Sequence, residues 1–235
     1  MKNLFSKIAS KLTKSKPTYV NREFQTNNLK QHGHPEIVIH ISDNAILDID
    51  VKTILDGFEN EVSRGVEYQD GESLQLGWML NEFQTLDDGR LILAEPDMTS
   101  FPINFIPTMN ATFKYLRQHK DVVESVNTEM MFPGITEALS VHKDYINSDA
   151  LTLERHEPEG SLSGWKVSVE DDFDESKHSL VSLYQMALDR PDLIKYLALP
   201  NGVKVQDFKG KGIDIYIDDV KVDYCEDSYL AILTK

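Results

Sequence analysis

The chain has 235 residues, 40% hydrophobic and 27% charged, with 10 Phe, 9 Tyr and 2 Trp, which is enough apolar material for a packed core and excludes global disorder. Its 39 acidic residues against 24 basic ones give a formal charge of −15. Such a surface repels nucleic-acid phosphates and anionic lipid and attracts cationic partners. The single cysteine, Cys225, excludes an internal disulfide and a zinc site built on Cys pairs, and its acidic surroundings argue against a nucleophilic role.

Charge is spread unevenly. Residues 1–30 carry Lys2, Lys7, Lys11, Lys14, Lys16, Arg22 and Lys30 against one acid, Glu23, so a basic leader precedes a body more acidic than the total suggests. Within it Leu4, Phe5, Ile8 and Leu12 follow a helical period that Pro17 ends. The pattern predicts an arm that the body does not need for folding, either docked back on the acidic surface or touching a membrane or partner. No apolar run approaches the roughly 20 residues of a membrane span, and the leader lacks the continuous apolar stretch of a secretion signal. A cytoplasmic location without stable membrane insertion is expected.

Order is expected from His34-Pro35. Glu36–Ile41 is β-branched and reads as a strand. A helix follows, capped by Asp48 or Asp50, with Val51, Ile54, Leu55, Phe58 and Val62 on one face and Gly65 as its stop. Ser73–Leu80 reads as one strand, joined through a turn at Asp88-Gly89 to Arg90–Glu95. A second helix is predicted over 108–119, and residues 121–149 give no clear pattern beyond Pro133-Gly134. Leu151–Arg155 and Gly164–Val169 read as a strand pair around Pro158-Glu159-Gly160. Ser179 is read as the cap of a helix over 180–188, and Pro191 opens another. Short strands are predicted at 203–208, 213–217, 220–224 and 229–233. Strands and helices do not alternate in βαβ rhythm, so the fold class is α+β, with antiparallel or mixed sheets and a few packed helices in two sub-domains. The expected organisation is an arm at 1–30, an N-terminal α+β domain at 31–149 and a C-terminal one at 150–235.

Catalytic and cofactor chemistry finds little support. His32, His34 and His40 offer imidazoles without the helical spacing of a metal motif, and a surface turn followed by a strand histidine explains them. Glu95 and Asp97 are a carboxylate pair that chance supplies easily among 39 acids. The run Glu170, Asp171, Asp172, Asp174, Glu175 lacks the glycine and terminal glutamate of a calcium loop. Phosphate-loop, dinucleotide and G-x-S-x-G patterns are missing, so no enzyme, cofactor or metal is expected.

One stretch carries a resemblance. Ser163-Gly164-Trp165, the acidic run, Leu183-Tyr184, Arg190-Pro191-Asp192-Leu-Ile, Leu197 and Leu199-Pro200-Asn201-Gly202 resemble the immunity protein 33 family, over about 40 of the 235 residues. Glu36–Asp97 looks like the extra N-terminal region of its longer relatives. The family's members are small acidic proteins encoded beside toxins of bacterial contact-dependent and type VI secretion competition. The resemblance implies no catalytic residue. It implies a cognate toxin as partner, bound and neutralised in the cytoplasm of the producer or its kin. An acidic protein can occupy the basic cleft of a nuclease toxin, and complementary charge speeds such encounters. The expected contact residues are Asp171, Asp172, Asp174 and Glu175, with Asp218 and Asp219 as a second patch. A cytosolic adaptor, or an enzyme with an unfamiliar site, are the alternatives. The oligomeric state is not legible.

Overall fold

A computed structural model describes residues 21–170, 172, 174–209 and 211–234. Its N-terminal sheet comprises β1 (Arg22–Gln25), β2 (Ile37–Ile41), β3 (Ser73–Leu76), β4 (Met79–Thr85), β5 (Leu91–Pro96) and β6 (Phe105–Ile106). The strand order is β1-β2-β5-β4-β3, with β6 paired to β5. Only β2 and β5 run parallel in it. Helix α1 (Asp48–Ser63) turns Val51, Leu55, Phe58 and Val62 inward, the face predicted from their spacing, against Ile37, Ile39, Ile41 and Phe83. Asp48 and Asp50 are not its cap: Leu47 holds that position, and both acids sit in the first turn, where the helix dipole favours them.

Helix α2 (Asn110–Ser125) is longer than predicted and serves two cores. Its Phe113 belongs to the first core, while Tyr115, Val122 and Val123 belong to the second. The second core lies against a seven-stranded sheet of β7 (Ala138–His142), β8 (Ala150–Arg155), β9 (Leu162–Val169), β10 (His178–Ser182), β11 (Val203–Phe208), β12 (Gly212–Ile217) and β13 (Val220–Lys221). Its order is β10-β7-β9-β8-β11-β12-β13, with β7 and β9 parallel and the other pairs antiparallel. Helix α3 (Leu183–Asp189), a 3-10 segment at Pro191–Tyr196 and α4 (Tyr229–Leu233) contribute Leu183, Tyr184, Leu193, Ile194 and Leu230 to that core. Two mixed sheets with a few packed helices make the chain α+β.

Several local expectations are corrected. The basic arm does not extend to residue 30. Arg22–Gln25 is a strand, Leu29 is fully buried, and Arg22 donates to the carbonyls of Asp43 (2.7 Å) and Ile46 (3.0 Å). The helical pattern of Leu4, Phe5, Ile8 and Leu12 lies outside the described residues. The strand expected over 73–80 is a hairpin, folded at Gly77-Trp78. A side chain at Gly77 (φ 63°) would place Cβ 2.6 Å from Leu116 Cδ2, so the turn needs glycine. Ser179 lies within β10, and Ser182 caps α3 instead, accepting from the Gln185 N–H at 3.0 Å. Residues 229–233 form a helix capped by Ser228, not a strand. The unplaced stretch 121–149 contains β7, which pairs with β9 and β10, so the C-terminal sheet starts before residue 150.

Candidate partner-binding face

Alternation along its strands gives the seven-stranded sheet two unlike sides. Leu139, Val141, Leu151, Leu153, Trp165, Val167, Val203, Val205 and Ile215 are buried against the helices. The other side is open to solvent along one row and buried at His142, Thr152 and Ser168 in the next. Register runs one row across all seven strands there: Leu180, Ser140, Lys166, Glu154, Lys204, Tyr216 and Lys221. None of these seven is buried.

The apolar residues that carry the family resemblance, Trp165, Leu183, Tyr184, Leu193, Ile194, Leu197 and Leu199, are buried on the inner side and hold it together. Gly164, at φ 81°, would bring a Cβ to 2.1 Å from the His156 carbonyl oxygen, a backbone approach no side chain tolerates. Next to it Trp165, 2% exposed, donates its indole N–H to the Leu197 carbonyl at 3.3 Å. The buried Arg155 guanidinium lies over the Trp165 ring, 5.6 Å from its centre, and donates to the carbonyls of Met131, Leu197 and Leu199. With carbonyls as its contacts, burial pulls its pKa down to about 10. The S-G-W strand and the L-A-L-P-N-G turn are therefore two sides of one internal lock. The sequence places Trp78 in a strand with a bonded indole N–H. It is buried as expected, but at the Gly77-Trp78 turn, and its N–H has no partner among the described residues.

The acidic residues lie at the solvent-facing side. Asp171 is outside the described residues. Asp172 pairs with Lys177, and its Oδ2 lies 3.7 Å from His142 Nε2. Asp174 caps a 3-10 turn at Glu175–Lys177, accepting from the Ser176 N–H at 3.0 Å. Glu175 takes Lys166. These partners hold all three carboxyls below the ordinary carboxylate range: Lys177 for Asp172, Ser176 for Asp174 and Lys166 for Glu175. Lys177 and Lys166 thus already match part of the charge of Asp172 and Glu175. Asp218 and Asp219 form the β12–β13 turn at φ 50° and 63°, at the opposite end of the strands from the Val169 end that launches the loop.

A concavity of about 230 Å³ reaches the loop at Glu175 but not Asp218 or Asp219. It lies between Glu175 and the β8–β9 hairpin, lined by Ser140, Leu162, Glu157, Glu159 and Leu180. Contacts link that hairpin to the second patch: Asn201 donates to Glu157 at 2.8 Å, Gly202 N–H to the Arg155 carbonyl at 2.8 Å, and Asp218 N–H to the Gly202 carbonyl at 3.2 Å. Sequence reasoning missed Leu180, Glu157 and Glu159. It took Leu180 for the first residue of a helix, whereas it stands in strand β10 and is 63% exposed. The signal for Glu157 and Glu159 was present, two acids flanking Pro158 in an expected turn.

The carboxylate pair considered for acid/base work is not a pair. Glu95 is buried and accepts the N–H groups of Ala111 (3.0 Å) and Thr112 (2.7 Å) at the start of α2. Burial pushes its pKa up to about 7. Asp97 instead folds onto its own turn through Thr99 and Ser100. His34 is held as a structural residue: Nδ1 lies 2.6 Å from the Pro35 carbonyl and Nε2 accepts the Tyr68 N–H at 2.9 Å. His40 meets Glu23 at 3.1 Å. Among the described residues no group of three or more His, Cys, Asp or Glu is placed to hold a metal ion, and no helix is long and apolar enough to cross a membrane.

The lock and the seven-stranded sheet define a helix-backed α+β unit. Residues 118–218 match the family model described as the Imm33-like domain, from the middle of α2 to the β12–β13 turn. The match takes in every residue that carries the resemblance. No curated protein and no solved structure matches the chain.

Proposed function

We propose that this protein binds a cognate antibacterial toxin in the bacterial cytoplasm and neutralises it by occluding its active or binding site, without turning over a substrate. The match of residues 118–218 to the Imm33-like domain carries this reading. The net charge of −15 supports it, because a strongly negative protein steers and selects a cationic partner. The contact surface is the loop with Asp172, Asp174 and Glu175, and the sequence adds Asp171 to it; Asp218 and Asp219 form its second part. The chemistry fits inhibition by contact better than catalysis: Glu95 is committed to the helix N-terminus, and Asp97 to its own turn.

Co-expression with a secreted toxin encoded by a neighbouring gene tests the proposal. Cells carrying this protein are expected to survive, and the two proteins to elute together. Equal killing with and without it, and no co-elution, sinks the immunity reading.

A further inference from the structure

The concavity beside β10 has the features of a receptor for one kind of partner segment. Among the described residues β10 pairs with β7 alone, so its other edge offers unpaired backbone groups. Natural edge strands are blunted by lysine, proline or bulges, and His178-Ser-Leu-Val-Ser182 has none of these. The opposite edge of the sheet, β13, is two residues long and carries Lys221. Leu180 stands at the rim of the concavity, 63% exposed. Around it stand the exposed carboxylates of Glu157, Glu159 and Glu175, against the single ammonium of Lys166, which Glu175 already engages.

We propose that this edge and concavity dock an extended, arginine- or lysine-bearing segment of a protein partner, which pairs along β10. The aliphatic stem of a cationic side chain would lie over Leu180 and Leu162 while its head reaches the three carboxylates, the arrangement such amphipathic side chains favour. Main-chain hydrogen bonds to an open edge supply affinity, and the concavity supplies the choice of side chain. The volume suits one or two side chains rather than a small-molecule cofactor. The inference rests on the toxin-binding reading for the identity of the partner, but the site can be tested without the toxin.

The probe is a fluorescein-labelled heptapeptide of alternating arginine and valine, with its glutamate–valine counterpart as control. Fluorescence anisotropy on the full chain is expected to register the arginine peptide and not the glutamate one. Glu157→Lys with Glu159→Lys, and separately Leu180→Ser, should each weaken binding by roughly tenfold. Asp56→Lys with Asp87→Lys makes the same charge change at exposed sites on α1 and in the β4–β5 turn and should change affinity far less. All these side chains are exposed, so thermal midpoints should stay near wild type. The proposal is overturned if the unaltered chain ignores the arginine peptide, if it binds both peptides alike, or if the Glu157/Glu159 and Leu180 variants bind like the Asp56/Asp87 variant. A toxin that is neutralised equally well by the Glu157/Glu159 and Leu180 variants sinks this docking site and leaves the immunity reading intact. Binding of the peptide without protection from the toxin does the reverse.

Discussion

Each sheet buries an ionisable side chain where it meets a helix or turn, and each satisfies it with backbone of opposite polarity. In the N-terminal sheet, Glu95 on β5 faces the first N–H groups of α2, donors that a helix leaves unused. In the C-terminal sheet, Arg155 on β8 faces three carbonyls of the 131 and 197–199 segments. The donors at the helix start do not offset the burial, so the Glu95 pKa rises to about 7. Arg155 has three acceptors and an aromatic ring, and at neutral pH it keeps its charge with a pKa of about 10. The first is a junction that titrates; the second is a permanent lock, and it coincides with the part of the chain that matches the Imm33-like domain.

The largest expected effect breaks the lock. Arg155→Leu leaves three carbonyls without their donor and should cost about 3–5 kcal/mol. Trp165→Ala removes a buried indole and should cost a similar roughly 3–5 kcal/mol. Both side chains use the Leu197 carbonyl, so the double variant should lose less than the sum of the two singles. Urea denaturation of the four proteins measures this, and strict additivity would argue against a shared lock.

The next effect concerns pH. His119 of α2 donates Nε2–H to the Ile194 carbonyl at 2.8 Å, and burial pulls its pKa down to about 4 from 6.5. Between those values the unfolded chain binds a proton that the folded chain refuses, so His119 makes stability rise with pH and level off above 6.5. Glu95, at about 7 against 4.5, acts oppositely: the folded chain holds a proton that the unfolded chain has lost, so stability falls as pH rises through that window. Each term is worth about 3 kcal/mol across its window, and between pH 4.5 and 6.5 they cancel. Relative to wild type, Glu95→Gln should therefore gain stability on going from pH 4.5 to 6.5, and His119→Gln should lose it. Parallel profiles for the three proteins would show that neither group is held as the structure places it.

The junction also shows what the sequence could disclose. Helix α1 was legible because five apolar residues recur at helical spacing and a single face meets one sheet. The Gly77-Trp78 turn was not, because tryptophan is no turn signal; it sits there because the second core receives it beside Tyr115. Tyr229–Leu233 has the composition of a strand, yet Leu230 is fully buried and its N–H meets Ser125 Oγ at 3.2 Å, so packing against α2 overrides propensity. The acids of the candidate face were plain in the sequence, but their pairings with Lys166 and Lys177 were not, since nothing local joins Lys166 to Glu175. Strand β1 was hidden by the basic composition around it. Leu29→Ala should cost about 2–4 kcal/mol, because that side chain is fully buried, whereas a dispensable arm predicts no change in thermal midpoint.

The smallest effect on folding should accompany the largest effect on association. Asp172, Asp174 and Glu175 sit on the rim, and their bonds to Lys177, Ser176 and Lys166 are surface contacts that water and salt weaken. Reversing all three to lysine should leave the thermal midpoint close to wild type, in contrast to any change at Arg155 or Trp165. Under the proposed function these charges steer a cationic toxin, so the reversal should slow association with it and flatten its dependence on ionic strength, with little change in dissociation. Stopped-flow binding at two salt concentrations resolves the two rates. An unchanged association rate would move the contact surface away from the loop, and a large fall in thermal midpoint would make the loop part of the lock rather than part of the binding face.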